Sequence, residues 1–152
     1  MLKDFRYSIA VHESGHALTG LSYGLQIRGM HIDPDDKSSG TSFLRDDFDR
    51  LMLDDQVVVA LAGAEAVQIV GGEHVSEQAL EDHKLVRARL LRHGIDENTA
   101  EGSARGKSIR ENARVWAQVI LTPRRESIIK LATALSEAGE LDKEQIAVLL
   151  AS

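Results

Sequence analysis

Apolar side chains at Phe5, Ile9, Val11, Ala17, Leu18 and Leu21 predict a first helix, capped by Asp4 and stopped near Gly24. Residues 26–33 and 40–45 are short and rich in β-formers, and the turn-forming run 34–39 between them predicts a pair of strands in a small sheet. Aliphatic and alanine positions over 54–70 predict a buried helix that ends at Gly71-Gly72. Ser76 offers a cap for another helix, with Ala79, Leu80, Leu85, Val86 and Leu90 apolar and His93-Gly94 at its close. The polar stretch 96–106 contains Gly102 and Gly106 and reads as a mobile loop. Beyond it, 110–121 is helical, Thr122-Pro123 reads as a cap and first position of a helix reaching Ala138, and 142–145 resembles a capping box opening a short helix to Leu150. The class expected is mainly α with a small β-sheet, and residues 1–152 form one domain.

Composition narrows the chemistry more than the fold. The chain has 152 residues, of which 43% are hydrophobic and 4% aromatic, so the core must be aliphatic. There is no cysteine, which removes disulfides, thiolate zinc sites and a cysteine nucleophile; any metal must be held by His, Asp or Glu. The longest apolar stretch, 57–64, ends at Glu65 and falls short of the ~20 residues a membrane span needs. The first residues lack the apolar region of a secretory signal, so the expectation is a cytoplasmic protein without a membrane partner. Charge is lopsided: residues 1–82 carry 6 basic and 15 acidic side chains, whereas 83–130 carry 11 and 5. The basic half has only Trp116 near its arginines, too little aromatic surface for a nucleic-acid groove, and no nucleic-acid partner is expected.

The strongest chemical signal is His12-Glu13-Ser14-Gly15-His16, an HExxH run inside the first predicted helix. Residues four apart share a helix face ~6 Å apart along the axis, so His12 and His16 can converge on one cation at ~2.0–2.1 Å. Glu13 falls to one side, placed to take a proton from a water that zinc has acidified. Gly15 is costly inside a helix and suggests that something approaches closely there. Two histidines leave a catalytic zinc short of its usual three protein ligands. On ligand chemistry His74, Glu81, Asp82 and His83 all qualify, although Glu81 and Asp82 project ~100° apart and cannot both face one ion. His93 reads as a helix-end residue and His31 as an ordinary strand side chain.

The run Ala10-Val11-His12-Glu13-Ser14-Gly15-His16-Ala17-Leu18 resembles the metal-binding helix of the FtsH family of ATP-dependent zinc metalloproteases, where HEAGHA is the usual form. Ile32, Pro34 and Gly40 are similar to that family's short strand, loop and glycine. Leu61-Ala62-Gly63 with Ala66 is similar to its glycine-alanine helix, and Gly71-Gly72 and Val75-Ser76 precede the place of its aspartate. Residues 128–132 and 140–146 look like its C-terminal helices. The resemblance spans nearly the whole chain but only the peptidase domain. It implies an FtsH-type helical fold carrying HExxH on its first long helix, with Zn2+ held by His12, His16 and Asp82 and Glu13 as the catalytic base. It further implies hydrolysis of unfolded or flexible polypeptides, with a separate ATPase or a homo-oligomer as partners.

The departures matter too. Neither an ATPase module nor membrane helices accompany the motif, so the expectation is a standalone zinc metalloendopeptidase that acts without ATP on segments already extended. The run 102–108 has three residues between its glycines where a phosphate loop needs four, and no strand precedes it. Val67 stands where the family carries a glutamate, and Asp35-Asp36-Lys37 is more acidic than the family's usual loop. Two alternatives remain: an HExxH peptidase of another group with a different third ligand, His83 being next after Asp82, and a metal-stabilised interaction module that does not hydrolyse.

Overall fold

A computed structural model describes the backbone of residues 2–152 and the side chains from Phe5 onward. The chain runs α1 (Leu2–Ser22), β1 (Ile27–Ile32), β2 (Ser39–Phe43), α2 (Asp47–Arg50), α3 (Leu53–Val70), α4 (Ser76–Arg92), α5 (Ala100–Leu121), a 3-10 turn (Thr122–Arg124), α6 (Arg125–Ala138), β3 (Glu140–Asp142) and α7 (Lys143–Ala151). It is mainly helical with one small three-stranded antiparallel sheet. No helix among the described residues is long and apolar enough to cross a membrane.

The core is built around α1. From Ser8 to Gly20 almost every side chain of this helix is buried, because α3, α5, α6 and the first two strands pack around it. Ile9, Ala10, Val11, Ala17 and Leu18 are at most 5% exposed. Small residues let α3 come close: a Cβ on Gly15 would stand 2.6 Å from the Ala62 carbonyl oxygen and 2.7 Å from the Ala66 Cβ. The close approach expected at Gly15 is therefore made by α3. Gly20 does the same for the Phe43 ring of β2.

The expected strand pair is present, with Met30 opposite Thr41 and Ile32 opposite Ser39. It is not the whole sheet. β3 pairs with the other side of β1, Met30 opposite Leu141, so the order is β2-β1-β3 and, among the described residues, β2 has only one hydrogen-bonded neighbour. Three residues more than a hundred positions downstream carry no local strand signal of their own; β1 recruits them. The four-residue α2 was likewise not foreseen.

Local chemistry sets most helix ends. Gly24, Gly71, Gly94 and Gly139 all take positive φ just past a helix, the conformation glycine adopts without strain. Asp142 accepts from the Gln145 backbone N–H while the Gln145 side chain accepts from the Asp142 N–H, the reciprocal pair expected there.

Four expectations need correction. Asp4 does not start α1, which already runs from Leu2, and its side chain lies outside the described residues. Ser76 is the first residue inside α4, the cap position being Val75, and it makes no capping bond. Thr122 is already helical and turns its hydroxyl back to donate to the Gln118 carbonyl, so α6 begins at Arg125, past Pro123. The expected loop at 96–106 is mostly helix: Thr99 caps α5 by accepting from the Gly102 N–H, and Gly102 and Gly106 lie inside it. Both glycines answer to packing: Gly102 gives room to the Asp96 carbonyl and Gly106 to the Glu97 carboxylate. The same helix absorbs 102–108: the Gly102 N–H goes to the Thr99 hydroxyl and the N–H groups after it enter the helical ladder.

Candidate metal centre

His12 and His16 leave α1 on one face, and Asp82 reaches them from α4. One donor atom from each lies within 4.8 Å of the others. His12 Nε2 stands 2.7 Å from Asp82 Oδ2, His16 Nε2 stands 3.1 Å from the same oxygen, and the two Nε2 atoms are 3.1 Å apart. Three protein ligands on a tetrahedral ion with bonds of ~2.0–2.1 Å would be separated by roughly 3.3–3.4 Å. The cluster is tighter than that, most of all between His12 and Asp82 at 2.7 Å. The donor set, two imidazoles and one carboxylate, could hold a metal ion.

Each ligand is positioned differently. His16 Nδ1 donates to the Val59 carbonyl of α3 at 2.8 Å, which fixes the tautomer and leaves Nε2 as the electron-pair donor. The His12 ring is 1% exposed and lies against Gly63, where a Cβ would come within 2.5 Å of Nε2. Its Nδ1 is buried without a hydrogen-bond partner among the described residues. Asp82 is 18% exposed and lies on the outer side of the cluster.

The electrostatics show why a cation suits the place. Burial works to lower the pKa of His16, but the Asp82 carboxylate beside it prevails, with help from Glu13 and the Val59 carbonyl, and raises it to about 10. Burial likewise works to raise the pKa of Asp82, and the two histidines hold it well below the usual carboxylate range. At neutral pH a proton thus sits among the three donors, where a divalent ion would displace it.

No family model matches the chain, and no curated protein matches its sequence.

Glu13 is 3% exposed and adjoins the ligands along α1. Two hydroxyls from β2 hold its carboxylate: Ser39 donates to Oε2 at 2.7 Å and Thr41 to Oε1 at 3.0 Å. Thr41 also meets the Glu13 backbone carbonyl oxygen at 2.9 Å. Strand alternation puts Ser39, Thr41 and Phe43 on the same face of β2, toward α1. The signal in the sequence was this polar alternation opposite a buried helix, and it was missed. His12, His16, Asp82 and Glu13 together line a cleft of about 600 Å³ whose other wall is formed by Lys37, residues 38–41 and Phe43, with Phe48, Leu80 and Leu85 also on its surface.

The other candidates lie elsewhere. His83 sits beside Asp82 in sequence, yet its Nδ1 accepts from Arg110 at 2.6 Å; burial and then Arg110 and Arg114 lower its pKa. That contact turns it away from the cluster. Glu81 is exposed and pairs with Lys84, His74 is exposed, and His93 closes α4 against the Arg89 carbonyl. His31 is a strand residue packed over Gly40.

Proposed function

We propose that this chain is a zinc metalloendopeptidase of the type its motifs resemble, the peptidase domain of the FtsH family, acting on unfolded or flexible polypeptide segments. The observation that supports it best is the convergence of His12, His16 and Asp82 in the wall of an open cleft, with Glu13 next to them. A structural zinc site is normally closed by four protein ligands, whereas this cluster supplies three and faces the cleft.

Zinc held there would act as a Lewis acid toward the scissile carbonyl and would acidify a water at neutral pH. Glu13 takes the proton of the attacking water and returns it to the departing amine, the work of a general base that then acts as an acid. Ser39 and Thr41 keep its carboxylate aimed while leaving lone pairs free. β2, with one neighbour only, offers its open edge to an extended segment, which would join the sheet as an added strand. A polypeptide that is still folded has no such free strand.

The test compares the zinc-loaded protein with Glu13→Gln on casein, an unstructured substrate. Zinc content should be unchanged and hydrolysis should fall about 10²–10⁴-fold. Equal rates would refute the mechanism, and tight zinc binding without any hydrolysis would favour the interaction-module alternative.

A further inference from the structure

Among the described residues, two residues of the cleft carry a buried polar atom without a partner, His12 at Nδ1 and Gln78 at Oε1. Gln78 lies four residues before Asp82 on α4, on the same helix face and ~6 Å along the axis. It is 9% exposed, its Oε1 is buried without a hydrogen bond, and its side chain lines the cleft together with Glu13 and the strand residues Ser39, Gly40 and Thr41. Buried carboxamides are nearly always satisfied, because an unpaired one forfeits its hydration. Of the other three unpaired atoms, His12 Nδ1 belongs to a ring already engaged through Nε2 in the cluster, Thr19 Oγ1 belongs to the buried stretch of α1, and Gln56 donates its amide to the Leu51 carbonyl. Gln78 belongs to the cleft.

We propose that Gln78 is a receptor for the substrate main chain. A carboxamide offers one donor and one acceptor side by side, the complement of a peptide unit. An extended strand presents its N–H and C=O groups alternately to its two edges. Held in this cleft, a strand pairs one edge with β2 and turns the other toward α4, where Gln78 meets it. The inference rests on the peptidase reading above and adds to it a substrate contact close to the scissile bond. Such a contact reads backbone and ignores side chains, so the enzyme would select for extension rather than for sequence at that position. A proline or an N-methylated residue there would be rejected.

The experiment uses zinc-loaded Glu13→Gln protein, which should bind without cleaving, and a fluorescein-labelled unstructured peptide of about ten residues built from Ala, Ser and Leu. Fluorescence polarisation gives Kd with and without Gln78→Leu. Loss of one backbone hydrogen bond should weaken binding roughly 3- to 10-fold, with zinc stoichiometry unchanged and a metal-free Tm equal or higher. A series of peptides, each N-methylated at one position, supplies the decisive cycle. One position should cost binding by a similar factor in the Gln78 protein and nothing further in Gln78→Leu. Equal affinity of the two proteins, or identical N-methyl profiles, overturns the proposal; Gln78→Met repeats the cycle if Leu disturbs folding. The peptidase reading fails separately, when the parent shows no Glu13-dependent casein cleavage.

Discussion

The three residues of the cluster come from two helices that are anchored in opposite ways. α1 is enclosed by apolar packing, and its neighbour α3 buries eleven residues, from Gln56 to Val67. α4 buries only Gln78, Val86 and Leu90 and is otherwise tied down by charge: Arg89 to Asp49, Arg87 to Asn98, and His83 to Arg110. His12 and His16 are therefore set by the core itself, and His16 is pinned to the backbone of α3. Asp82 is carried on a surface helix whose position each of these polar contacts must hold. The difference teaches that a metal here would act as a staple, fastening a lightly held wall to a rigid one.

The largest effect should come from removing that staple. Zinc at about 100 times its Kd stabilises a single-site protein by about 2.7 kcal/mol, roughly a 5–10 °C rise in Tm for a chain of this size. His16→Ala and Asp82→Ala should each abolish this rise together with stoichiometric zinc. In the parent, hydrogen exchange should show zinc slowing amides of α4 strongly and those of α1 and α3 hardly at all. Uniform protection, or tight zinc in His16→Ala, would break the comparison.

The same contrast explains what could be read from the chain alone. Glycines past helix ends and the Asp142–Gln145 box act through neighbours a few residues away, so Gly71, Gly94 and Asp142 were legible as helix boundaries. The HExxH spacing placed two imidazoles on one face for the same reason. Gly102 and Gly106 were misread as a loop because their partners, the Asp96 carbonyl and the Glu97 carboxylate, become neighbours only once α5 has formed. β3 exists through pairing with a strand far away in sequence. Asp82 was named through resemblance, since ligand chemistry alone left four candidates; its meeting with the histidines depends on how α4 lies across α3. Ser39, Thr41 and Gln78 were not singled out at all, because a hydroxyl or amide gains a role only from what it faces.

A smaller effect is expected where β2 meets the rigid wall. Thr41→Val is nearly isosteric and removes the hydroxyl shared by the Glu13 backbone and carboxylate. We expect kcat to fall about 10-fold, the cost of a mis-aimed base at roughly one hydrogen bond to a charged group, with KM and zinc content little changed. Thr41→Ser should restore most of it. A fall in KM-dependent steps only, or no rescue by serine, would show that Thr41 serves packing instead.

The smallest effect lies at the charged anchorage of α4. Glu97 accepts two bonds from Arg110, at 3.0 and 2.7 Å, while the same guanidinium donates to His83 on α4. The Arg110 hydrogen bonds are the largest influence and burial, which works the other way, the second; with the charges of Arg110, Arg87 and His83 added, the Glu97 carboxyl is held below its usual range. A carboxylate whose folded pKa is depressed contributes stability in full above its unfolded value of about 4.5, and that contribution drains away as pH falls through the folded pKa. With both side chains partly open to water, solvent screening keeps the pair to about 1 kcal/mol or less, a few degrees in Tm. Metal-free protein in chelator should thus lose Tm between about pH 5 and pH 3, and Glu97→Gln should start lower and show a shallower loss over that window. Protection of α4 amides, taken relative to the intrinsic exchange rate at each pH, should fall first on acidification, ahead of α1. If the Glu97→Gln protein follows the parent's acid curve, or α1 opens together with α4, the charged anchorage carries no separate weight and the two walls are one cooperative unit.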